Sequence, residues 1–438
     1  MKVLYDISVL GVGQYNPLAK TGVARVIENV AYGLATSKDC DLVFCESLSF
    51  DILNACLSYR NFNQRFQTIP IVHSSWILNL YNKLQEIKKI LKSSNQIKEV
   101  IEYQYQDELG QELTEYLEKS LSKIEKYYTR TQSNYLENAD IFHANYYPIN
   151  NQAKAVGNVL KFMTVCDLIP IKYPEFFGIK NKEEHIVYQS LASIDKDKDW
   201  VICISQSTKN ELCNYMGIDE SRVFVTHLGA TKDIFYPCQD ASKIARIRKK
   251  YGIPDSPYLL SLSTLEPRKN IAHLIRCFVK LVRQENIEDL QLVLVGSQGW
   301  DYKDILQEMS NYDSIKKRIV ITGRVADEDL AAVYSDALVF IYPSFYEGFG
   351  LPPLEAMQCG VPVITSNTSS LPEVVGNAGI MVDPKDVDGL CNSILEIYNT
   401  PSLRGTMSLK SLEQSKKFSW EKCTQETIEG YGTAIAQR

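Results

Sequence analysis

The chain has 438 residues, enough for two cores of roughly 200 residues each. Hydrophobic residues make up 45% and charged ones 23%, as in a soluble globular protein, and a net charge of -6 without a basic stripe argues against a nucleic-acid partner. Eleven cysteines form no Cys-x-x-Cys pair and no cluster with the five histidines, which predicts no metal site, no disulfide framework and a cytoplasmic setting.

From the N-terminus, an apolar run predicts a strand over Lys2–Asp6, a loop holding Gly11-Val-Gly13, and a helix over Gly22–Thr36. A dinucleotide fingerprint needs a third glycine where Asn16 stands, and Pro17 parts these glycines from the helix, so a nicotinamide or flavin reading fails. Gly22 opens the helix instead, where backbone amides suit a diphosphate or a transferred sugar. The opening run is too short and polar for a signal peptide. With no window of about 18 apolar residues, the sequence predicts no transmembrane anchor and leaves peripheral attachment open.

Further strands are predicted at residues 41–45, 141–144, 161–165, 200–204 and 222–226. Between the second and third of the chain's strands, residues 76–138 have helical periodicity. Leu80, Leu84, Ile87 and Leu91 form one stripe; Leu113, Leu117, Leu121, Ile124 and Tyr128 form another. A helical hairpin packed on the first domain is expected, with an acceptor lid, a dimer contact or a membrane-surface helix as alternatives. The pattern then breaks near Gly229 to Gln239, which marks an interdomain linker. Domains are accordingly expected at residues 1–237 and 238–415, with a last helical stretch at 416–438.

In the second domain, strands at 259–263, 290–295, 319–322, 337–342 and 361–365 alternate with helical patterns, the signature of a parallel α/β sheet. After its first strand comes Ser263-Thr-Leu-Glu-Pro-Arg268-Lys269-Asn270, where a guanidinium fork and a mobile ammonium suit a diphosphate. After its fourth comes Glu347-Gly-Phe-Gly-Leu-Pro-Pro-Leu-Glu355, two acids with seven residues between them. Gly348 and Gly350 allow close backbone approach, Pro352 and Pro353 suit a first helical turn, and the free N–H groups there favour phosphate oxygens.

These motifs resemble the retaining glycosyltransferases of family four. The likeness is specific from Tyr258 to Pro384, where it includes Gly323-Arg-Val, Pro343-Ser344, Gly360-Val-Pro-Val-Ile-Thr and Ser370-Leu-Pro-Glu373. It is looser in the first half, at Thr21-Gly22, Phe142-His143, Asp167-Leu-Ile-Pro170 and Ile204-Ser205. The resemblance implies the GT-B fold: α/β, two Rossmann-like parallel-sheet domains facing a central cleft, with the helical insert in the first. It also implies that the C-terminal helix crosses back to the first domain.

By the same resemblance the donor substrate is a nucleotide-diphosphate sugar of the UDP or GDP type, without a cofactor. Arg268 and Lys269 would meet the leaving diphosphate, Glu347 would orient the sugar and Asp167 would join the catalytic set. Glu355 would hold the ribose, Val325 would lie by the base, and Gly22, Ser263, Gly348, Phe349, Gly350 and Leu351 would line the donor. His143, Cys166 and Ser205 are further contacts for sugar or acceptor. Cys166 departs from the family, since many relatives carry His there and a thiol donates a poorer hydrogen bond.

Because cations can serve where Mg²⁺ often does, and no Asp-x-Asp pair stands beside the phosphate loops, metal-independent transfer is expected. A front-face mechanism suits a chain without an evident nucleophile. The acceptor is expected to be a glycan, a lipid-linked saccharide or a small aglycone, in polysaccharide biosynthesis in the cytoplasm or at the inner face of the membrane, and the insert offers a peripheral membrane contact or a homo-oligomer interface. The alternatives are a GT-B sugar-nucleotide epimerase and a catalytically weak sugar-nucleotide-binding partner.

Overall fold

A computed structural model of the chain describes residues 1–15, 22–73, 79–87, 89–90, 107–299, 302–312 and 315–438. The strands form two six-stranded parallel sheets. The first holds β1 (Lys2–Asp6), β2 (Asp41–Cys45), β3 (Ile141–Asn145), β4 (Leu160–Val165), β5 (Trp200–Cys203) and β6 (Val223–Val225), in the order β2-β1-β3-β4-β5-β6. The second holds β7 (Tyr258–Leu262), β8 (Gln291–Val295), β9 (Ile319–Gly323), β10 (Val339–Tyr342), β11 (Val363–Ser366) and β12 (Ile380–Val382), in the order β12-β11-β10-β7-β8-β9. Both read as continuous apolar runs because both faces are covered. The two Rossmann-like sheets expected from the sequence are present; β12 is the strand that periodicity did not supply, being only three residues long.

The two sheets share one topological feature. β1 pairs with β2 on one side and β3 on the other, just as β7 pairs with β8 and β10. The carboxyl ends of β1 and β3, and of β7 and β10, are therefore the switch points where open parallel sheets hold ligands. By compactness the chain divides into a first unit, Met1–Met163 with Gln189–Trp200 and Tyr431–Arg438, and a second, Thr164–Tyr188 with Val201–Gly430.

In the second unit the helix Ile271–Gln284 buries Ile271, Leu274, Ile275, Phe278, Leu281 and Val282 against β7, β8 and β10. Each such side chain contributes about 1.5–3 kcal/mol on burial, so this stripe fixes the helix and the loop that precedes it. Two local expectations change in the first unit. Gly11-Val-Gly13 lies in a helix, Ser8–Tyr15, rather than a loop. A Cβ at Gly11 would sit 2.6 Å from the Cys56 sulfur, so the glycine serves the close crossing of the helix Phe50–Phe62. Asn16, Pro17 and Thr21 lie outside the described residues.

The insert contains the helix Asp107–Glu137, which buries Leu117, Leu121, Ile124 and Tyr128 as its periodicity predicts. Residues 79–87 are helical too, yet Leu80 and Ile87 are exposed and Tyr81 is the buried member. Leu91 lies outside the described residues, as do the side chain of Leu113 and much of the predicted hairpin. No helix among the described residues is long and apolar enough to cross a membrane.

Candidate active site

At the switch point of the second sheet, Pro267–Lys269 forms a short 3-10 turn after β7. Asn270 follows with φ 59°, and its Nδ2 donates to the carbonyls of Pro343 (3.0 Å) and Pro384 (2.7 Å). That side chain fastens the loop after β7 to the loop after β10. The two predicted motifs therefore meet. Glu347 accepts from both cations, Oε2 at 3.0 Å from Arg268 Nη1 and Oε1 at 2.6 Å from Lys269 Nζ. Ser344 Oγ donates to Oε1 at 2.6 Å, Lys269 also donates to the Tyr342 hydroxyl at 2.8 Å, and Arg268 Nη2 pairs with Glu266 at 2.8 Å.

Burial alone would raise the Glu347 pKa, but Arg268 and then Lys269 outweigh it and hold the carboxyl at about 2. Burial likewise works against the charge on Arg268, and Glu347 and Glu266 more than restore it. Lys269 stays below its ordinary value because burial and neighbouring Arg268 outweigh Glu347. One donor is left over: Arg268 Nε is buried without an acceptor. The buried hydroxyls of Ser263, Thr365 and Ser366, at the ends of β7 and β11, also lack partners.

The second acid lies one element further on. Gly350, at φ 117°, caps the helix Leu351–Gln358, which opens with Pro352 and Pro353 in its first turn, as predicted. Glu355 is buried in that helix, with Oε2 accepting from the Tyr334 hydroxyl at 3.1 Å. Gly348 is glycine for a different reason than the sequence suggested. A Cβ there would lie 2.4 Å from the Cys166 carbonyl oxygen and 2.9 Å from Asp167 Cβ, so the close approach is by another part of the chain. This contact seats Asp167 beside the cluster. Burial raises its pKa, while the Ile169 N–H and Arg268 pull it back. Cys166 is a poor nucleophile there, burial and Asp167 pushing its thiol to about 12.

Other predicted residues have structural partners. Val325 is buried after β9, and Phe349 packs against Phe418 and His227. Leu351 is the first residue of its helix. Ser205 is the N-cap of the helix Gln206–Met216, its Oγ accepting from Thr208 N at 3.1 Å. In the first unit, His143 is fully buried beside Tyr431, and burial lowers its pKa to about 3, so it is a neutral core imidazole at physiological pH. Gly22 begins its helix exposed, with open space where a Cβ would stand. Sequence reasoning passed over Glu266, Ser344 and Asn270, although all three stand inside the quoted motifs or one residue from them. Among the described residues no group of three or more His, Cys, Asp or Glu side chains is placed to hold a metal ion.

Two Rossmann-like sheets and a cation–carboxylate cluster at the second switch point define a GT-B glycosyltransferase. The family model described as Glycosyl transferases group 1 matches residues 243–413. O-antigen chain mannosyltransferase B of Escherichia coli is 37% identical over 268 residues, which are 61% of this chain and 69% of that protein. The serotype-specific mannosyltransferase WbdA of Escherichia coli is 33% identical over 62% of this chain, a match that spans 33% of WbdA. Sucrose-phosphate synthase from Thermosynechococcus elongatus shares the fold with a TM-score of 0.62 at 20% identity, over 100% of this chain and 99% of that one. The chain belongs to the group 1 glycosyltransferases.

Proposed function

We propose that this enzyme is a retaining, metal-independent hexosyltransferase that moves a mannosyl group from a nucleoside-diphosphate sugar to a saccharide, free or lipid-linked. The observation that carries the reading is Arg268: charged, at the switch point, its side chain 12% exposed, and with its buried Nε–H unspent. A buried donor without an acceptor costs about 1–3 kcal/mol, and a phosphate oxygen would satisfy it. The names of the relatives support the mannosyl group, since both Escherichia coli proteins are mannosyltransferases.

In the proposed transfer the bond from the sugar C1 to the diphosphate breaks, and its electron pair goes to the phosphate oxygen. Arg268 and Lys269 stabilise the charge that grows there, the role a divalent cation plays elsewhere. The acceptor oxygen bonds to C1 on the same face, and its proton passes to the departing phosphate oxygen. Glu347 is not the base, because a carboxyl held near pKa 2 has little affinity for a proton. It keeps the two cations oriented, while Asp167 beside Gly348 is available to a sugar hydroxyl.

A thermal-shift panel of GDP-, UDP-, ADP- and dTDP-sugars, followed by NMR of the product anomer, tests this. GDP-mannose should raise Tm and yield an α-linked product from its α-linked donor, with EDTA present or absent. A panel without any shift, or a β-linked product, contradicts the proposal.

A further inference from the structure

Arg268 is held, main chain and side chain alike, by the segment that precedes Glu347. Its carbonyl accepts from Phe345 N at 3.0 Å and Ser344 Oγ at 3.1 Å, and its Nη1 donates to the Tyr346 carbonyl at 2.7 Å. Nη2 is taken up by Glu266. A planar guanidinium fixed at Nη1 and Nη2 has little freedom left in its plane, so these contacts decide where the unspent Nε–H points.

Tyr346 carries the connection outward. The residue is buried, and its hydroxyl donates to Glu211 Oε2. Glu211 lies on the helix Gln206–Met216, with Oε1 2.5 Å from Lys172 Nζ at the end of the short helix Ile169–Lys172 that follows Asp167. The same ammonium stands 5.2 Å from the centre of the Tyr346 ring, and the Tyr173 ring packs there at 5.4 Å. Helix Gln206–Met216 is itself anchored, since Glu373 accepts from Gln206 N at 2.7 Å and Thr208 Oγ1 donates to the Cys166 carbonyl at 3.3 Å. All these residues belong to the second unit. Burial and then Glu211 raise the Tyr346 pKa, so the hydroxyl stays a donor and takes no part in proton transfer. We propose that Tyr346 and Glu211 are positioning residues for Arg268. Tyr346 joins the guanidinium, through its own carbonyl, to a carboxylate on a neighbouring helix, and that connection sets the direction of the Nε–H. This rests on the transferase reading above, in which Nε meets a donor phosphate.

Tyr346→Phe removes one oxygen and keeps the ring. Misplacing a group that acts on the transition state lowers kcat more than KM, so kcat should fall about tenfold while the donor KM changes less than about twofold. Assays well below each variant's Tm keep lost stability from counting as lost turnover. Glu211→Ala should match that fall, and Glu211→Gln, whose amide still bonds the hydroxyl, should recover kcat to within about twofold of wild type. In an Arg268→Ala background neither Tyr346→Phe nor Glu211→Ala should lower kcat further, because residues that act through Arg268 then have nothing to place. Wild-type kcat in Tyr346→Phe overturns the proposal. So does a fall that persists in the Arg268→Ala background, which a merely structural role would give. If Tyr346→Phe does not fold, Glu211→Ala and Glu211→Gln decide by the same two criteria. The transferase reading fails separately: absence of turnover with every nucleotide sugar removes it, while NMR of the Arg268 Nε–H, assigned by its loss in Arg268→Lys, still tests the connection. That resonance should shift in Glu211→Ala, and an unmoved one overturns the positioning role.

Discussion

Asp6 and Glu347 occupy matching places, each at the switch point of a six-stranded sheet, and burial acts on both in the same direction. Their outcomes are opposite. Glu347 has Arg268 and Lys269 within 3.0 Å and stays ionised down to a pH of about 2, whereas among the described residues Asp6 has hydroxyl and amide donors and no cation, and titrates near 6. One fold thus supports a strongly charged site and a nearly uncharged one. The partners, rather than the topology, decide whether each end keeps its charge: fixed cations hold it at one, and neutral donors do not at the other.

The largest effect should come from Arg268→Ala. Removing a preorganised donor to a developing oxyanion costs about 10²–10³ in kcat. Binding of nucleoside diphosphate should weaken far more than binding of nucleoside, and equal losses on both would break the contrast between a charged and an uncharged site. Glu347→Gln should come next, acting on stability. A folded pKa near 2 against an ordinary 4.5 is about 3 kcal/mol of stability, present above pH 4.5 and lost as the pH falls toward 2. Denaturant midpoints of wild type and variant should therefore differ at pH 7 and converge near pH 2; a gap that does not narrow argues against the ion-pair origin.

Gly348→Ala sharpens the boundary of the charged site. Its Cβ would press on the Cys166 carbonyl, and such overpacking typically costs about 1–3 kcal/mol. Turnover should fall with stability, since Asp167 shares the contact; activity lost at unchanged Tm would instead indicate a ligand packed on Gly348. The smallest effect should be that of Ser205→Ala. Loss of an N-cap costs about 1 kcal/mol, and the KM for donor and acceptor should not move. A raised KM would return Ser205 to the substrate site.

Much of the charged site was legible in the sequence because its parts are local. Strand, turn and helix start are written into Ser263 to Asn270 and Glu347 to Glu355 by apolar runs, prolines and glycines. What was not legible is who pairs with whom. That Glu347 answers both cations depends on β7 and β10 being neighbours, and that Gly348 yields to Cys166 depends on a loop more than 150 residues away. Periodicity has the same limit. It marked residues 79–87 as helical but not which face is buried, because that is set by what the helix meets. Gly11 and Gly13 read as a loop since glycine weakens a helix, and only the crossing near Cys56 explains one inside it. The end of the first sheet left still less trace: Asp6 and Asn145 are ordinary residues until β1 and β3 lie side by side.

The most direct test is local hydrogen exchange at pH 5 and pH 8, in peptides covering β1 and β10, for wild type, Glu347→Gln and Asp6→Asn. A raised folded pKa gives stability that is present below the unfolded value, near 4, and lost as the pH rises through 6, so the charged Asp6 carboxyl weighs against the fold at pH 8. The account predicts opposite signs at pH 8: less protection at β10 in Glu347→Gln, and more at β1 in Asp6→Asn, the latter gain shrinking by pH 5. Protection that falls in both variants would contradict it.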